Sequence, residues 1–86
     1  MPTYLAFHEV DDVEHWRNMP TREEVFGPLG ITHRIFKDPQ GSNRVGLLLE
    51  IPDFAKFQEL MQSDQAAEAM KQDGVHPDSL VVLEEA

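Results

Sequence analysis

The sequence predicts an α+β fold of four strands and two broken helices, in the order strand, helix, strand, strand, helix, strand. Three observations predict it. Runs of β-branched, aromatic or other apolar residues occur at Thr3 to Val10, Ile31 to Lys37, Val45 to Ile51 and Leu80 to Leu83. Between the first and second runs, and again between the third and fourth, apolar residues recur three and four apart, as on one face of a helix. Prolines, glycines and short polar residues mark the joints.

Each element has its own local reason. Thr3 to Val10 alternates partly with period two, which suits a strand. Asp11 or Asp12 is placed to cap the next helix, whose acidic first turn at Glu14 matches the positive end of the helix dipole. Pro20 cannot continue that helix without losing a hydrogen bond, but it is accepted in a first turn, so TREEVF restarts the helix at a new angle and Gly27, Pro28 and Gly30 end it. Asp38, Pro39, Gly41 and Asn43 turn the chain between strands two and three. Asp53 caps the second helix, where Phe54, Phe57, Leu60 and Met61 share a face; Ser63 and Asp64 predict a bend before AAEAM, and Gly74 is the stop. This order is the split βαβ, or ferredoxin-like, arrangement, in which right-handed crossovers place both helices on one face of an antiparallel sheet.

That arrangement leaves the second sheet face uncovered. Strand three sends Val45, Leu47, Leu49 and Ile51 to one side and Gly46 and Leu48 to the other, while Leu80 and Val82 oppose Val81 and Leu83. Strands apolar on both faces need cover on both. A chain of 86 residues, expected to form a single domain over 1–86, lacks the material to supply it. A homodimer packed sheet to sheet is the expected solution.

Composition narrows the partners. Sixteen acidic against seven basic residues leave a formal charge of -9, which opposes binding to phosphate backbones and anionic membranes, so neither nucleic acid nor membrane is an expected partner. The N-terminus, MPTYLAFHEV, lacks a basic region followed by an apolar signal segment, and a cytoplasmic location is expected. There is no cysteine and hence no disulfide. No glycine-rich phosphate loop or dinucleotide fingerprint occurs, and no cofactor is expected. HEVDDVEH gathers histidines and carboxylates, but His8 and His15 are seven apart across a strand-to-helix boundary, unlike the four-residue spacing of a helical metal pair, so no metal site is predicted.

Several segments resemble the dimeric α+β barrel superfamily, in particular small antibiotic-biosynthesis-monooxygenase-like and polyketide-cyclase-like proteins. They are Trp16 in the first helix, His33-Arg34-Ile35-Phe36-Lys37-Asp38 running into Asn43-Arg44-Val45, Leu49-Glu50-Ile51-Pro52-Asp53, and Ala69-Met70 through Gly74-Val75. The resemblance implies a barrel formed by two sheets in the dimer and a pocket between each sheet and its own helices. It also implies a range of activities, including cofactor-independent monooxygenases, cyclases and isomerases. Where some cyclases carry a histidine in the second helical region, this chain has Ala66, Ala67 and Glu68. A helical haem-binding histidine is likewise missing, since His76 follows Gly74.

The resemblance directs Tyr4, Ala6, His8 and Val10 toward the helices. His8 and Tyr4 would then be an acid and base pair beside the small Ala6. His33 and Arg34 point to opposite faces, so one of them lines the pocket: His33 would act with His8, and Arg34 would bind an anionic or enolate oxygen. Trp16, Phe57, Met61 and Met70 would wall a site for a flat ligand, and His76, expected in a loop before strand four, would stand at its mouth. Two readings follow. One is a cofactor-independent enzyme acting on a small apolar, aromatic or polyketide-like molecule; the other is a non-catalytic dimeric ligand-binding or stress-related protein in which the same residues are structural.

Overall fold

The computed structural model describes residues 2–86. Strand β1 (Thr3–Val10) leads into helices α1 (Val13–Asn18) and α2 (Thr21–Phe26), then strands β2 (Thr32–Lys37) and β3 (Arg44–Glu50), helices α3 (Phe54–Met61) and α4 (Asp64–Asp73), and strand β4 (Val75–Glu84). The sheet order is β2-β3-β1-β4 with antiparallel neighbours, the ferredoxin-like topology. No helix among the described residues is long and apolar enough to cross a membrane.

Local chemistry sets the boundaries. The Asp12 carboxylate accepts from the His15 amide, Asp53 from the Ala55 and Lys56 amides, and the Ser63 hydroxyl from the Ala66 amide, so three helix starts satisfy donors that would otherwise lack partners. Met19 is extended (φ -74, ψ 133), as the residue before a proline prefers, and this separates α1 from α2. Gly74 closes α4 in the left-handed region at φ 74, where a Cβ would meet Asp11 atoms at 3.3 Å.

Strand β4 begins five residues earlier than the Leu80 start expected from the apolar run, so His76 sits within a strand and not in a loop. The reason is positional. Because β4 is an edge strand, Pro77 costs no ladder hydrogen bond toward a neighbour on the open side. The pairing with β1 shifts between Phe7 and Glu9, and there the Ser79 hydroxyl stands in for a ladder carbonyl, accepting from the Glu9 amide at 2.8 Å and donating to the His76 carbonyl at 2.6 Å.

Strand pairing sorts the side chains. Tyr4, Ala6, His8 and Val10 of β1 and Val45, Leu47 and Leu49 of β3 are buried on the helix side against Trp16, Phe26 and Phe57. The other face carries Leu5, Phe7, Phe36, Val81 and Leu83, all exposed in the single chain, with Phe7 at 39% and Val81 at 50%. Phe7, Gly46 and Phe36 lie in one cross-strand row, and Leu5 pairs with both Leu48 and Leu83. These are one contiguous apolar surface.

Candidate functional site

A cavity of about 80 Å³ lies between the helix side of the sheet and helices α1, α2, α3 and α4. Its floor is Ala6, Leu47 and Leu49, and Trp16, Phe57, Met61 and Met70 contribute to its walls. The expected wall residues are therefore brought together. Ala6 makes the space, because the strand residues on either side of it on this face are the much larger Tyr4 and His8. An apolar cavity of roughly 150 Å³ holds benzene. The space here accepts a smaller body as it stands, and the flexible Met61 and Met70 side chains are the walls best able to yield to a larger one.

Besides Thr21, three ionisable side chains interrupt the apolar lining: His8 (5% exposed), Arg22 (8%) and Asp73 (5%). Each of these three retains a buried atom without a hydrogen-bond partner, namely His8 Nδ1, Arg22 Nε and Asp73 Oδ1. The His8 ring meets the Trp16 edge or face in a T-shaped contact at 5.6 Å. Arg22 lies over the Trp16 ring at 4.5 Å and donates to the Trp16 carbonyl at 2.9 Å and the Arg17 carbonyl at 3.2 Å, which fastens α2 to the end of α1. Its Nη1 is 4.0 Å from Asp73 Oδ2 at the end of α4.

The remaining candidates lie elsewhere. Tyr4 shares the His8 face but is four residues along the strand, about 13 Å away, stacked on Phe54 at 4.8 Å and outside the cavity lining. The expected His8 and Tyr4 pair is thus not assembled around one small ligand. Burial first, and Glu84 second, raise the Tyr4 hydroxyl, so it remains a proton donor at neutral pH. His33 pairs with Leu49 and faces the helices, against the Phe26 ring at 6.1 Å, but lines a surface groove with Arg17, Glu23 and Ile35 that meets the cavity only at Arg22. Arg34, its neighbour, points to the opposite sheet face by strand alternation and lies 5.8 Å from the Phe36 ring. His76 is held by Asp11 at 2.5 Å and does not line the cavity. Among the described residues, no group of three or more His, Cys, Asp or Glu stands close enough to hold a metal ion.

Arg22 and Asp73 were not among the residues singled out from the sequence. Arg22 reads as a surface cation in TREEVF, and its burial follows only from the packing of α2 on α4. Asp73 did carry a signal: an aspartate in the last turn of a helix opposes the helix dipole and needs a compensating partner.

The electrostatics set the protonation of His8. Burial first, then the Arg22 charge, pull its pKa below the ordinary 6.5, and the same two causes lower His33. A histidine whose folded pKa is depressed favours the fold in its neutral form. That stability is fully present above the unfolded pKa of 6.5 and is lost as pH falls from there through the folded values. Asp38, held down first by the Ser42 hydroxyl and then by the Gln40 amide, acts in the more acid carboxylate window. Urea midpoints at about pH 7.5 and about pH 5.5 should therefore fall less in His8→Gln than in the wild type, and least in the His8→Gln/His33→Gln double variant. Equal losses in all three proteins would show that neither imidazole is desolvated.

No protein-family model matches the chain, and no curated protein matches it in sequence. Solved structures do match. An antibiotic biosynthesis monooxygenase aligns over 100% of this chain and 97% of its own, with TM-score 0.64 and 12% identity. A Pseudomonas aeruginosa protein aligns over 98% and 91%, with TM-score 0.59 and 9% identity. A protein of the ethyl tert-butyl ether D family from Bacillus halodurans aligns over 100% and 98%, with TM-score 0.52 and 15% identity. The likeness spans the whole chain and is a likeness of fold, in agreement with the superfamily that the sequence resembles.

Proposed function

We propose that this chain binds a small, largely apolar molecule in the cavity between its sheet and helices, acts as a homodimer joined through the outer sheet face, and uses His8 to move a proton. The reaction class is a cofactor-independent cyclisation, isomerisation or oxygenation of an aromatic or polyketide-like molecule. The observation that carries the reading is the cavity itself, whose apolar lining is interrupted by Thr21 and by three buried ionisable side chains that each keep an unpaired atom. Such an atom is costly, by roughly 1–3 kcal/mol, and a ligand group that draws the side chain toward the cavity supplies the missing partner. A cytoplasmic location belongs to the same proposal.

Within that reading, neutral His8 is able to accept a proton from an acidic C–H or O–H. The developing negative charge is met by the Arg22 guanidinium, which takes the part that the sequence offered to His33 or Arg34. The second reading, a non-catalytic binding protein, is favoured by one observation: neither Tyr4 nor His33 lines the cavity, leaving His8 as the one imidazole of its lining and without a phenol beside it. A fragment screen followed by turnover of any bound molecule separates the two. His8→Asn should lower turnover by roughly a hundredfold or more while binding is retained. Equal turnover by both proteins would remove the proton-transfer role and leave the binding role.

A further inference from the structure

Resting on the reading of the cavity as a ligand site, we infer that Arg22 and Asp73 form its polar end and select a neutral head group that carries both a hydrogen-bond donor and an acceptor, such as a carboxamide. The unpaired atoms set the requirement. Arg22 Nε carries an N–H that can only donate, and Asp73 Oδ1 can only accept. A head group that satisfies both must offer an oxygen to the first and an N–H or O–H to the second. His8 Nδ1, a donor or acceptor according to its tautomer, suits either end of such a group.

Charge narrows the choice further. Arg22 and Asp73 are opposite charges whose nearest atoms are 4.0 Å apart, and the other polar side chains of the lining, His8 and Thr21, are uncharged when His8 is neutral. The cavity thus has no net charge to attract a carboxylate, and an anion seated on Arg22 would stand against Asp73. The pair is also loosely made: at 4.0 Å it is an ion pair without a hydrogen bond, so each partner has bonding capacity left for a third group. None of the three unpaired atoms is reached by solvent in this conformation, so a ligand engages them through side-chain movement and not by replacing an ordered water.

The test compares three probes of matched shape by calorimetry or methyl NMR titration of the intact protein: isovaleramide, isovalerate and 4-methyl-2-pentanone. The amide has donor and acceptor, the carboxylate is an anionic acceptor, and the ketone is a neutral acceptor. We expect the amide to bind at least tenfold more tightly than either of the others. Asp73→Asn makes the lining cationic and should raise the affinity for isovalerate at least tenfold relative to the amide. If that variant does not fold, the wild-type ranking alone decides. A ketone or carboxylate that binds wild type as tightly as the amide overturns the inference and leaves the cavity as a ligand site. Failure of all three probes to bind overturns both.

Discussion

Phe7→Glu is expected to turn the proposed dimer into a monomer at micromolar concentration. Phe7 stands at the centre of the outer face, paired with Gly46 on one side and Val81 on the other, and a Cβ at Gly46 would lie 3.6 Å from its ring and 3.8 Å from Phe36. Two aromatic rings therefore flank a flat position in the middle of the sheet, a shape into which a second copy of the same face can settle. In a two-fold interface each substitution occurs twice. If each buried carboxylate costs about 2 kcal/mol, a conservative share of the several expected for an unpaired ion, the dissociation constant rises roughly a thousandfold. Sedimentation velocity reads the result directly. A wild type that remains monomeric at about 100 μM, with no change on substitution, would contradict the dimer, because an interface of this type has affinities well below that concentration.

The second large effect concerns the helix layer. Arg22→Met removes the guanidinium from the Trp16 ring, leaves the Trp16 and Arg17 carbonyls without their side-chain donor and strands the buried Asp73 carboxylate. Breaking one partner of a buried pair costs about 3–5 kcal/mol. Small domains have only about 5–15 kcal/mol in total, so thermal unfolding should move down by roughly 15 °C or more. Arg22→Met/Asp73→Leu should recover much of the loss, since replacing both charges with apolar groups removes the uncompensated ion. If the single variant loses under about 1 kcal/mol, the pair behaves like an exposed one and its burial is not an energetic constraint.

Most of the fold was legible because its boundaries rest on local chemistry. Asp12, Asp53, Ser63 and Gly74 each act where their residue types predict, and Pro20 divides the first helix where its missing donor predicts, with Met19 extended before it. Strand β4 was under-read because Pro77 and Asp78 look like loop residues, whereas an open sheet edge accepts them. The site was legible only where strand alternation governs it. Alternation places His8 and His33 on the helix side and Arg34 on the outer side once the register is known, and the register depends on a turn whose length does not fix it from sequence alone. Separation along the strand then divides Tyr4 from His8. Arg22 and Asp73 come from different halves of the chain and meet only through packing of α2 on α4, a contact that no local pattern encodes.

Titrating protein labelled at its alanine, leucine and methionine methyl groups with small neutral arenes, ketones and amides tests the cavity most directly. At least one probe is expected to shift Ala6, Leu47, Met61 and Met70 together, leaving the outer-face Leu5 and Leu83 methyls unmoved. Shifts confined to Leu5 and Leu83, or no response at the cavity methyls to any probe, would contradict it.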